Sequence, residues 1–141
     1  MSTPEQHPRI ALRIGELASR TRRSVHTIRW YESQGLMPGV ARDAADRRVY
    51  NELHVSWLEL MERLRSTGMS IAEMRDYTAL VMQGKSTLKA RQAMLAAHRV
   101  RVTQKVAEWN EALALIDGKI DFYAEWVSTG HRPKLPPAER R

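Results

Sequence analysis

Residues 14–36, IGELASRTRRSVHTIRWYESQGL, decide how the rest of the chain is read. Ile14, Leu17 and Ala18 recur at helical spacing, so a first short helix has one apolar face. Thr21, Arg22 and Arg23 form a polar corner, and Ser24 then supplies a hydroxyl cap for the next helix. In that second helix Val25, Ile28 and Tyr31 or Glu32 take the inward and flanking faces, which leaves His26, Thr27 and Arg29 pointing outward. Two such helices about a tight corner predict a helix-turn-helix, whose second helix enters the DNA major groove. The same pattern also fits a two-helix corner in any small all-α domain. Arg22 stands where the turn usually has glycine, and in a left-handed backbone it meets a steric cost that glycine escapes.

Composition agrees with a DNA partner. The chain has 141 residues, enough for one small domain and an extension. Its formal charge of +7 favours a polyanion over an acidic small substrate. The first 50 residues hold nine Arg and no Lys against five acids, and Arg22, Arg23 and Arg29 cluster at the corner. With no cysteine there is no disulfide, thiolate metal site or redox thiol. The opening MSTPEQHPRI lacks an apolar core segment and no run reaches the length of a membrane span, so the expectation is a cytoplasmic protein. Nucleotide-binding glycine motifs, a nucleophile elbow and HExxH are all missing, and the five His are scattered. An enzyme, a cofactor and a metal site are therefore not expected.

Beyond the second helix, Gly35, Pro38 and Gly39 turn the chain. VARDAADRRVY then carries Arg42, Arg47 and Arg48 and closes on the β-formers Val49 and Tyr50, which suits a short wing lying along phosphates. A solvated loop is the alternative. Asn51 caps a predicted helix with Val55, Leu58, Met61 or Glu62, and Leu64 or Arg65 on its inner stripe and Trp57 beside it. Thr67-Gly68 ends that helix, and Ser70-Ile71-Ala72-Glu73 reads as a capping box for another that lasts to Gly84.

From Lys85 the period changes. Val102, Val106, Trp109, Leu113, Ile116, Ile120, Tyr123 and Val127 follow an unbroken 4-3 spacing, with Leu88 and Leu95 extending it backwards. That predicts one helix of roughly 40 residues with a coiled-coil seam. A lone helix of this length has no way to bury its seam, so self-association is expected, with packing onto its own domain as the alternative. The fold expected is mainly α: a winged helix-turn-helix DNA-binding domain over 10–84, a coiled-coil dimerisation helix over 85–127, and a disordered tail over 128–141.

Taken in order, IGELA, SVHTIRWYE, QGLMP, DRRVY and STGMSIAEM resemble the MerR family of bacterial transcription regulators, over roughly residues 12–123. From TGM through RQAMLAAHR to IDGKIDFY the chain is similar to the short branch without a separate effector domain, which includes thiol- and aldehyde-stress regulators. The resemblance implies an antiparallel homodimer on a near-palindromic promoter whose spacer is too long for RNA polymerase. Bending and untwisting that DNA realigns the promoter elements, a form of indirect readout. Arg22, Ser24, His26, Thr27, Arg29, Trp30, Arg42, Arg47, Arg48 and Tyr50 are the expected DNA-binding residues, and Val102, Val106, Trp109, Leu113, Ile116, Ile120 and Tyr123 the dimerisation residues. Trp30 replaces the family's usual Tyr, and the lack of Cys excludes a thiol sensor. A small-molecule effector, if bound, would meet the aromatic residues Tyr77, Trp109, Tyr123 and Trp126. The rival function is a basic helical adaptor that binds acidic partners without reading sequence.

Overall fold

The computed structural model describes residues 11–134. Five α-helices and a two-stranded sheet follow in the order α1 (Ile14–Thr21), α2 (Val25–Ser33), β1 (Ala41–Arg42), β2 (Arg48–Val49), α3 (Glu52–Ser66), α4 (Ile71–Met82) and α5 (Leu88–Thr129). A single 3-10 turn, Lys85–Thr87, precedes α5.

The chain divides into two compact units, one extending through His98 and the other beginning at Arg99. In the first, α1 packs on α2 and α3, and α3 packs on α4. Leu17, Ile28, Tyr31, Leu36, Tyr50, Leu58, Met61 and Met74 fill the centre of its core. The caps forecast from sequence start these helices. Ser24 Oγ accepts the Thr27 N–H at 3.0 Å, Asn51 Oδ1 accepts that of Leu53 at 2.8 Å, and Ser70 Oγ accepts that of Glu73 at 3.1 Å. The inner stripe of α3 includes His54, which sequence reading left among scattered histidines. Its Nδ1 accepts the Asn51 N–H at 3.0 Å and its Nε2 meets the Pro38 carbonyl at 2.7 Å. This buried ring ties the start of α3 to the loop after α2. Trp57 makes a second tie there, donating from Nε1 to the Leu36 carbonyl at 2.6 Å.

The first compact unit includes the start of α5. Met94 and Leu95 of α5 pack against the first unit's core, and His98 is buried with its Nε2 2.8 Å from Thr67 Oγ1. Arg91 fastens the start of α5 to the end of α4: Nη2 donates to the Gly84 carbonyl at 2.6 Å and Nε to Thr87 Oγ1 at 3.0 Å. A guanidinium here satisfies carbonyls that a helix end leaves without partners. Leu95 is therefore partly buried against the core of the first unit.

In the second unit α5 continues to Thr129, two residues past its expected end, and Gly130 follows at a φ of 74°. A left-handed residue just beyond a helix is the usual place for glycine. The remainder of the expected tail, from 135 onward, lies outside the described residues.

Candidate nucleic-acid interface

The turn between α1 and α2 closes through backbone bonds. Arg22 adopts φ 57° and ψ 36°, the left-handed conformation that its sequence position implied. This lets the Arg23 N–H reach the Ala18 carbonyl at 3.0 Å, which ends α1 within one residue. Arg23 donates from Nη1 to the Thr21 carbonyl at 2.7 Å, and its guanidinium pairs with Glu59 and Glu62 of α3. Arg23 thus serves as a strut of the corner, whereas Arg22 is exposed.

On α2 the apolar period turns Ile28 and Tyr31 inward and leaves His26 and Arg29 exposed, with Thr27 half-buried. Thr27 and Ser24 share a hydroxyl contact of 2.9 Å, so both side chains are engaged in starting the helix. Trp30 is half-buried against the core, its ring edge-on to Tyr31 and covered on one face by the Arg65 guanidinium at 4.7 Å. That cation–π contact holds the ring against the domain.

The wing is an antiparallel pair in which Ala41 faces Val49 and Arg42 faces Arg48. Asp43 organises its tip: Oδ1 accepts the N–H groups of Ala45 and Arg47, both at 2.9 Å. Arg13 Nη2 reaches Asp43 Oδ2 at 2.6 Å, and Arg47 Nε lies 3.3 Å from the same oxygen. The Arg47 N–H and the Arg13 guanidinium hold the Asp43 carboxyl down at about 2, well below the ordinary carboxylate value. Arg42 donates to the Asp46 carbonyl at 2.7 Å.

Between α2 and the wing runs a groove lined by Arg13, Arg29, Arg42, Arg47 and Arg48, with Glu32 and Asp46 among them. Five guanidinium groups against two carboxylates leave the groove positive. Most of these arginines are already oriented by an internal acceptor, so little side-chain entropy remains to be lost on meeting a phosphate. Arg13, Glu32 and Asp43 were not singled out by sequence. The Asp43 turn carried a local signal, an Asp two residues before the turn centre. Arg13 and Glu32 reach their partners across 30 and 16 positions of chain, and no local pattern announces that.

Two of the expected site residues are buried in the core. Tyr50 is 0% exposed, locked by paired backbone bonds of 2.8 Å with Leu12, and its hydroxyl donates to Glu32 Oε1 at 3.1 Å. Burial, then the nearby Glu32 charge, pushes its pKa up to about 12. Its ring belongs to the core behind the groove that it helps to line. Tyr77 is 7% exposed and stacks on Trp57 with ring centres 5.7 Å apart. In the second unit, Tyr123 and Trp126 stack at 6.5 Å and Trp109 is 72% exposed.

Among the described residues no group of His, Cys, Asp and Glu is arranged to hold a metal, and no helix is long and apolar enough to cross a membrane. The profile for the MerR HTH family regulatory protein matches residues 12–80, and that for MerR, DNA binding matches residues 55–118. An uncharacterized HTH-type transcriptional regulator of Haemophilus influenzae is 29% identical, over 80% of this chain and 87% of its own. Another, from Pseudomonas aeruginosa, is 30% identical over 89% and 92%. The fold is similar to that of HiNmlR, a MerR family regulator lacking the sensor domain, in its crystal structure bound to promoter DNA. The TM-score is 0.75 and the identity 26%, covering 86% of this chain and 96% of that one. A positive groove beside a helix-turn-helix, both family profiles and these relatives lead to one conclusion: the chain is a DNA-binding transcriptional regulator and belongs to the MerR family.

Proposed function

We propose that this regulator acts as an antiparallel homodimer on a near-palindromic promoter element, in the cytoplasm, distorting the DNA to control RNA polymerase. The observation that carries the dimer is the exposed seam of α5. Val106, Trp109, Leu113, Ile116, Ile120, Tyr123 and Val127 are all exposed, and Val102 is half-buried. A stripe of that size on one helix marks an association surface.

Its order favours antiparallel pairing. The seam is symmetric about a point between Ala114 and Leu115, so one register sets Val102 against the partner's Val127, Val106 against the partner's Tyr123, Trp109 against the partner's Ile120 and Leu113 against the partner's Ile116. Charge agrees. No acid occurs between Asp76 and Glu108, a stretch holding Lys85, Lys89, Arg91, Arg99, Arg101 and Lys105. The following stretch, from Glu108 to Val127, carries five acids against Lys119 alone. Antiparallel pairing lays the acidic half along the partner's basic half, whereas parallel pairing sets like beside like.

On DNA, Arg29 and His26 read base edges from α2, with Thr27 beside them, while Arg22, Arg42, Arg47 and Arg48 meet phosphates. Ser24 and Trp30 act by holding α2 in place. The absence of cysteine makes the pairing testable by crosslinking. Val102→Cys and Val127→Cys variants, oxidised separately and after mixing, should give covalent dimers only in the mixture. Disulfides within each single variant would show parallel chains and overturn the proposal.

A further inference from the structure

Glu32 sits at the end of α2 where the reading helix faces the wing, and it binds two wing residues at once. Oε2 lies 2.6 Å from Arg48 Nε, and Oε1 accepts the Tyr50 hydroxyl at 3.1 Å. Its side chain is only 19% exposed, against 51% for Arg48, so the pair is sheltered mainly on the carboxylate side. With its pKa pushed up to about 12, Tyr50 stays a hydroxyl donor at any physiological pH. Both carboxylate oxygens are therefore committed, and α2 and β2 share a fixed spacing.

The arrangement also limits what Arg48 does. Its Nε is held by Glu32, while the groove contains four other guanidinium groups, those of Arg13, Arg29, Arg42 and Arg47. An unrestrained arginine swings to any nearby phosphate, and each such contact adds affinity without reading sequence. One held by a carboxylate presents its remaining N–H groups in a single direction.

We propose that Glu32 is a specificity-determining positioning residue, which pins Arg48 so that it serves a phosphate only where the DNA backbone fits the spacing between α2 and the wing. The carboxylate also cancels one positive charge in the groove and so restrains binding to unrelated duplexes. This rests on the reading that the groove meets DNA.

Glu32→Gln tests it, since the amide oxygen still accepts from Tyr50 while the charge holding Arg48 is gone. Titrations with cognate and random duplexes at several salt concentrations supply the readout. Affinity for random DNA should rise about three- to tenfold at low salt and its salt slope steepen by about one unit, the contribution of one added phosphate contact. The ratio of cognate to random affinity should fall. In an Arg48→Gln background the same change should no longer raise random binding. If Glu32→Gln weakens cognate and random DNA in parallel, or raises random binding equally without Arg48, the proposal is overturned. Should that variant not fold, Glu32→Asp withdraws the carboxylate from Arg48 while keeping its charge; random binding that fails to rise would then overturn the idea. Arg48→Gln and Arg29→Ala alone separate the two layers. If neither weakens binding, the groove does not meet DNA. If they weaken it and Glu32→Gln does not raise random binding, only the role of Glu32 fails.

Discussion

Leu58 in α3 is fully buried, whereas Leu113 in α5 is 53% exposed, although both stand on apolar stripes of regular helical spacing. The contrast holds for their surroundings. Around Leu58 the stripes of four helices converge, so Met61, Leu64, Met74 and Tyr77 are buried within the same chain. Around Leu113 a seam of equal apolar content has no intrachain cover. Spacing thus shows which face of a helix is apolar, and a count of neighbouring stripes shows whether the chain alone can bury it. By that test the first unit has its own core, and the second unit's apolar face is left uncovered, as the proposed pairing with another copy requires.

The largest expected effect strikes the second unit. Leu113→Glu together with Ile116→Glu places charges at the centre of the seam and should convert the dimer to monomers, measured by sedimentation, with specific DNA affinity lost alongside. A dimer that survives this double change would mean that the seam is not the interface.

A buried site in the first unit should behave differently. Leu58→Ala should destabilise by about 2–5 kcal/mol, as expected for a large-to-small change in a packed core. Its lowered melting temperature should drop equally at all protein concentrations, while that of Leu113→Ala should fall further on dilution. Equal concentration dependence in both variants would erase the distinction between the units.

Arg29→Ala tests the surface and not the core. It should leave the melting temperature unchanged and weaken cognate binding by about 1–3 kcal/mol, relaxing preference at one position in each half-site. Uniform weakening on all sequences would reassign Arg29 to phosphates.

The smallest effect is at the wing tip. Asp43 titrates at about 2 in the folded chain, below its ordinary 3.8. Its contribution is therefore complete above about pH 4 and lost as the pH falls through about 2. Amide exchange at Ala45 and Arg47 should accelerate over that range, and Asp43→Asn should remove the dependence. A wing that loosens already at neutral pH would contradict the assigned bonds.

Much of the first unit could be read from the sequence. The caps at Ser24, Asn51 and Ser70, the left-handed Arg22 and the inward Ile28 and Tyr31 depend on near neighbours, which a local pattern records. Tyr50 could not be placed that way. Its aromatic, β-forming character suits a wing end, but its burial depends on pairing with Leu12, 38 positions earlier. Tyr77 looked like a ligand wall because its stacking partner, Trp57, lies on another helix. The packing of Leu95 was hidden for the same reason: it fits the heptad, and its contact with the first unit's core depends on other helices. In the interface, the arginines were visible as charge, while the carboxylates that aim them were not.

The central claim is that the second unit's apolar face is buried by a second copy of the chain. Sedimentation equilibrium of the unaltered protein, across a dilution series, measures this most directly. The account predicts twice the chain mass at micromolar concentration, with dissociation only on strong dilution. A single-chain mass throughout the series would contradict it.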